Sequence, residues 1–153
     1  MEINLDGVIA QTIQLALTPV FVLVAIGNIL NILSNRLARV VDRSRILQES
    51  HARTSGLEHD TVVREIRIVD RRIRLINSAM LLLVMSGLSI GITVAMLFVE
   101  EVFSASLQNA AAAFFFASIA LLMAALLSFL RETRVATNAL KIPETYLELE
   151  RKL

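Results

Sequence analysis

Residues 77–99 read NSAMLLLVMSGLSIGITVAMLFV, with Arg71, Arg72 and Arg74 just before them and Glu100 and Glu101 just after. These 23 residues contain no Asp, Glu, Lys or Arg. As a helix rising about 1.5 Å per residue they extend about 35 Å, enough to cross a hydrocarbon core of about 30 Å with some tilt. A helix buried in a soluble domain rarely stays uncharged for so long. The chain does it twice more, over residues 13–33 and 110–130, each 21 residues long and equally free of charge. A lone open strand would leave its backbone groups unpaired in lipid, so all three stretches are expected to be helices.

Composition agrees with this reading. Apolar residues make up 56% of the 153 residues, and the mean hydropathy is +0.66, too high for one soluble domain with a surface to hydrate. Cysteine is absent, which excludes a disulfide framework and a thiolate metal site. The first apolar stretch is preceded by Glu2 and Asp6 but by no basic residue, and it is too long for the apolar core of a secretion signal. It is therefore read as a membrane span rather than a leader.

Charge sets the orientation. Residues 34–76 carry ten arginines, and residues 131–153 carry the other five basic residues; the segment before the first span and the segment 100–109 carry none. All 15 basic residues thus fall on one side of the membrane, which the positive-inside rule makes cytoplasmic. The expected topology has the N-terminus outside and the C-terminus in the cytoplasm.

Between the first two spans the helical pattern continues. Leu37, Val40, Val41, Ser44 and Leu47 share one side, and no Gly or Pro intervenes before the break at Ser50 to Gly56. Beyond the break Val62, Ile66, Val69, Ile73 and Ile76 recur at spacings of 4, 3, 4 and 3, an a/d seam over two heptads. Residues 34–76 are accordingly expected to form an antiparallel cytoplasmic hairpin that prolongs the first two spans. Asp60 with Arg64 and Asp70 with Arg74 are i,i+4 pairs on its second arm, each worth a few tenths of a kcal/mol by the usual ~0.2–0.5. In the tail 131–153, Pro143 and Glu144 open a short amphipathic helix carrying Tyr146, Leu147, Arg151 and Lys152.

Four groups of residues are candidates for function. In the first span Gln14, Thr18, Asn28, Asn31 and Asn35 are polar, and at 100° per residue Asn28, Asn31, Asn35, Arg39 and Asp42 lie within an arc of about 80°. An amide in lipid is costly without a partner, so this stripe is expected to face protein or water. It reads either as hydrogen-bonding glue between helices, worth about 0.6 kcal/mol per contact, or as the lining of a solute path. Just below the membrane, Arg36, Arg39 and Arg43 of one arm should meet Arg71, Arg72 and Arg74 of the other. That places six guanidinium groups at headgroup level, where they would contact anionic lipid or a partner protein, with Asp42 and Asp70 relieving part of the charge. Gly87 and Gly91, extended by Ala95, form a GxxxG surface in the second span, and Ala113, Ala117, Ala120, Ala124 and Ser128 form a small-residue stripe in the third. Such surfaces let helices approach closely. His51 and His59 flank the break, where exposed loop histidines are the default over metal ligands.

Other chemistries lack their residues. No Gly-rich phosphate loop, Ser/His/Asp set or HExxH occurs, and no carboxylate lies within a span. Neither an enzyme, a cofactor, a metal nor a nucleic-acid partner is therefore expected.

The run from Thr18-Pro19 through Asn35-Arg36-Leu37-Ala38-Arg39-Val40-Val41-Asp42-Arg43-Ser44-Arg45 resembles the signature of a bacterial membrane family, domain of unknown function 2721. Arg71-Arg72-Ile73-Arg74 and Ser128-Phe129-Leu130-Arg131-Glu132 fit as well, so the likeness spans about residues 12–140. It implies a three-helix protein of the bacterial inner membrane, with its distinctive part at the polar end of the first span, and no activity. The expectation is an all-α integral membrane three-helix bundle, favoured as a homo-oligomer because three such helices bury little area alone. Its function is read as a non-enzymatic pore or solute path along the first helix, with Glu100 and Glu101 favouring cations at the outer mouth. The alternative is a scaffold or accessory subunit that binds through its arginine hairpin.

Overall fold

Helix α1 (Leu5–His51), helix α2 (Leu57–Phe103) and helix α3 (Gln108–Ala139) make up the fold of this computed structural model, which describes residues 5–103 and 106–139. All three are long and apolar enough to cross a membrane. The expected short helix after Pro143 lies outside the described residues. Helices α1 and α2 have 47 residues each, about 70 Å at 1.5 Å per residue. That is more than twice the thickness of a bilayer core, so each runs well beyond its apolar stretch. α1 passes through Pro19 without interruption, and α3 continues past Leu130, where the apolar stretch ends, to Ala139.

The turn between α1 and α2 falls at the Gly-bearing break. Thr54 donates from both its backbone N–H (3.1 Å) and its hydroxyl (3.0 Å) to the carbonyl of Ser50, closing the end of α1. Gly56 then takes φ = 66°, a left-handed conformation that side chains with a Cβ adopt only at a cost. Its carbonyl accepts the N–H of Asp60, which opens α2.

Buried positions recur every seven residues. On α1 they are Pro19, Ile26, Leu33, Val40 and Leu47; on α3 they are Ala111, Ser118, Ala125 and Glu132. α2 carries two such lines, Val69, Ile76, Leu83 and Ile90 beside Ala79, Ser86 and Thr93. One line each for the outer helices and two for α2 make α2 the central helix, packed against α1 on one side and α3 on the other. The expected seam holds: Val69 and Ile76 are in the buried core, and Val62, Ile66 and Ile73 pack against it.

The side facing α3 is hydroxyl-bonded. Ser86 donates to the carbonyl of Ser118 at 2.8 Å, and Ser89 donates to the carbonyl of Phe114 at 2.8 Å. Outward, large apolar side chains such as Phe21, Leu81, Leu88, Phe116 and Leu127 are exposed on every helix. In water that surface would drive aggregation; in lipid it is solvated. The chain is a multi-pass membrane protein.

Candidate functional site

Where the apolar stretches end on the side of the turn, all three helices contribute to one polar site. Arg36 lies three residues beyond the buried Leu33 on α1, and Arg72 four residues before Ile76 on α2. Glu132 closes the buried line of α3 and has 0% of its side chain exposed, against 24% for each arginine. The Arg72 Nε–H donates to Glu132 Oε1 at 3.0 Å. Arg36 Nη2 stands 2.8 Å from Glu132 Oε2, an ion-pair contact without hydrogen-bond alignment. The Arg36 guanidinium also sits 5.2 Å from the centroid of the Phe129 ring, within the range of a cation–π attraction.

Arg72 and Glu132 meet because α2 and α3 are in register. Arg72 and Ser86 are 14 residues apart on α2; their partners Glu132 and Ser118 are 14 apart on α3. The same seven-residue lines that carry the serine bonds in the membrane therefore carry the ion pair at its edge. A carboxylate without solvent is costly unless opposite charge and hydrogen bonds compensate it, and two guanidinium groups do so here. α1 packs mainly on α2 and has little direct contact with α3 along their lengths, so Arg36, through Glu132 and the Phe129 ring, gives it an ionic link to α3.

Beside this ion pair lies a cavity of about 560 Å³ lined by Arg36, Arg39, Arg43 and Arg72, with Glu65 and the apolar Val40 among its walls. Four of the six expected arginines are thus brought together. Arg71 and Arg74 are exposed and lie outside this lining. The charge is also relieved differently from expectation. Among the described residues the ion pairs are Arg36–Glu132, Arg43–Glu65, Arg72–Glu132 and Arg74–Asp70. Asp70 serves only Arg74, its neighbour one turn on, while Asp42 and the Asp60–Arg64 pair form no such contact. The arginines of the cavity are partly relieved by carboxylates opposite them, Glu65 and Glu132, while the sequence-adjacent Asp70 pairs with Arg74 outside it.

The amides of α1 point the other way. Taking the buried Ile26 as 0°, residues 28, 31 and 35 fall at about 200°, 140° and 180° at 100° per residue. Accordingly Asn28, Asn31 and Asn35 are exposed, as are Gln14 and Thr18. The Asn35 side chain donates to that of Asn31 at 3.4 Å along the same helix; among the described residues no amide of the stripe bonds to α2 or α3. Glue within the chain is supplied by Ser86, Ser89 and Ser118 instead.

The small residues also divide. A methyl group added at Gly87 would meet Leu23 and Ile26 of α1 at 3.7 and 4.0 Å, whereas one added at Gly91 would meet nothing within 4 Å, and Ala95 is exposed. With Gly27 these residues line an open apolar groove of about 570 Å³ between α1 and α2. On α3, Ala113, Ala117 and Ala120 are exposed and Ala124 and Ser128 half-buried, while the buried small residues are Ala111, Ser118, Ala125 and Ala136. α3 turns the seven-residue line towards α2, rather than the three- and four-residue steps of the other stripe, because that line carries the hydroxyl of Ser118 and the carboxylate of Glu132. At the turn the His51 and His59 rings lie with centroids 4.4 Å apart and planes tilted by 53°, and among the described residues no three His, Asp or Glu side chains gather to hold a metal.

The family model described as "Protein of unknown function (DUF2721)" matches residues 16–142. The chain belongs to this family. The matched part of the DUF2721 chain includes every residue of the Arg36–Arg72–Glu132 site and the amide stripe from Thr18 onward. No curated protein and no solved structure matches the chain.

Proposed function

We propose that this DUF2721 protein is a non-enzymatic homo-oligomer in which the amide faces of several α1 helices surround a solute path across the cytoplasmic membrane. The observation that carries it is the exposure of Asn28, Asn31 and Asn35 on the face of α1 opposite its buried line. Amides facing lipid would be unpaired and costly. A second copy, or water held between copies, satisfies them. The N-terminus then lies outside and the arginine-rich turn in the cytoplasm, following the charge asymmetry. Glu100 and Glu101 near the outer end of α2 favour cations at the entrance.

Purified protein of defined oligomeric size, reconstituted into liposomes, tests this. Cation flux is expected, and Asn28→Leu with Asn31→Leu should alter it while the oligomer persists. If a pure oligomer passes no ions over the voltages and pH values tried, the path reading fails. The same double variant dissociating into monomers would make the amides glue between subunits instead. A second reading, a scaffold or accessory subunit that meets anionic lipid or a partner protein through its arginines, is supported by the arginine-lined cavity. It requires no flux.

A further inference from the structure

We propose that the cavity between Arg36, Arg39, Arg43 and Arg72 is a binding site for a phosphate group, presented by the headgroup of an anionic lipid. The proposal is independent of the solute path and rests on the second reading, to which it adds a defined pocket. Three observations support it. First, the four guanidinium groups exceed the nearby carboxylates, Glu65 and Glu132, by two formal charges, so the cavity is positive enough to attract the single negative charge of a lipid phosphodiester. Second, donors are left over. The Nε–H of Arg36 is buried without an acceptor, and Arg39 is not among the described ion pairs. Guanidinium groups and phosphate oxygens match in geometry and bond in pairs, more strongly than neutral partners. Third, the pocket lies just beyond the ends of the charge-free stretches of α1 and α2, at the depth expected of a lipid headgroup. Val40, Ile68 and Val69 supply an apolar wall beside the charges, as a glycerol ester and the start of an acyl chain require.

The site is pre-shaped. Arg36 and Arg72 are held by Glu132 and Arg43 by Glu65, so three of its four cations are positioned before any ligand arrives. This lowers the ordering cost of binding. Arg39, exposed and outside the described ion pairs, would close over the phosphate.

Full-length protein in nanodiscs of phosphatidylcholine, with and without phosphatidylglycerol, provides the test. Bound lipid is counted by native mass spectrometry and affinity is read from titration. Arg39→Gln with Arg43→Gln should weaken phosphatidylglycerol binding by about tenfold or more. Arg71→Gln with Arg74→Gln removes the same charge outside the cavity and should change it less than about twofold. Equal losses in both double variants would overturn the pocket and leave a diffuse basic surface. No retained phosphatidylglycerol in the unaltered protein would overturn the lipid reading along with it. Should Arg39→Gln with Arg43→Gln fail to fold, Glu65→Gln reports independently: it adds one net positive charge to the cavity and should tighten binding, and an unchanged affinity would overturn the site. Competition by inorganic phosphate would support the site while assigning it a soluble source.

Discussion

The two sides of α2 are packed on different principles. Towards α3, small residues at seven-residue steps let the helices close, and hydroxyls bond directly to the facing backbone at 2.8 Å. Towards α1, the same stretch of membrane has an apolar groove of about 570 Å³ beside Gly27, Gly87 and Gly91 and no interhelical hydrogen bond among the described residues. α1 joins the bundle through its apolar line, from Ile26 to Leu47, and through Arg36. α2 and α3 therefore form the fixed part of the molecule. In the membrane α1 is held on one face only, and its opposite face, carrying the amides, is open to another copy.

The largest expected effect is at the point where both sides converge. Glu132→Gln leaves two partly buried guanidinium groups without their counter-charge. Loss of one partner of a buried pair costs about 3–5 kcal/mol, and the partial exposure of both arginines brings the expectation to about 3. Unfolding in mixed detergent micelles measures it, and a loss below about 0.5 kcal/mol would mean that α1 is not tied to α3 through this site. Next comes Ser86→Ala, which removes the direct bond to Ser118 and should cost about 1 kcal/mol in the same assay. Smallest is Asn28→Leu with Asn31→Leu, which removes only the Asn35-to-Asn31 bond along α1 and no bond to α2 or α3, and should leave monomer stability unchanged within about 0.5 kcal/mol. If the amide variant destabilises the monomer as much as the serine variant, the contrast between the two sides of α2 disappears.

Much of the fold was legible in the sequence. Charge-free runs mark the three spans, the lack of Gly or Pro after Leu33 predicts the prolongation of α1, and the 4-3-4-3 spacing from Val62 to Ile76 gives the packed face of α2. The amide stripe was legible as a polar arc, but sequence alone left open whether it faced inward. The site at Glu132 was not found. A glutamate just past the third span, between Arg131 and Arg134, reads as ordinary flanking charge. The missing step was the helix boundary: α3 has no Gly or Pro to stop it at Leu130, and extending it places Glu132 on the same line as Ala111, Ser118 and Ala125. The small-residue stripe on α3 is packed only in part, at Ala124 and Ser128, for a related reason. In a soluble helix the polar side identifies the outer face; in lipid both faces are apolar, and small residues are frequent all round. Only the facing helix decides which alanines are packed.

The orientation of the amides is best tested with thiols, since the chain has no cysteine and single introduced ones report cleanly. In the reconstituted protein, cysteines replacing Asn28, Asn31 and Asn35 in turn should react with a membrane-impermeant thiol reagent and cross-link between subunits. Cysteines replacing the exposed apolar Phe116 and Leu127 of α3 should do neither. If all five positions stay equally unreactive and none cross-links, α1 turns its amides to lipid, and the account of a shared polar face is wrong.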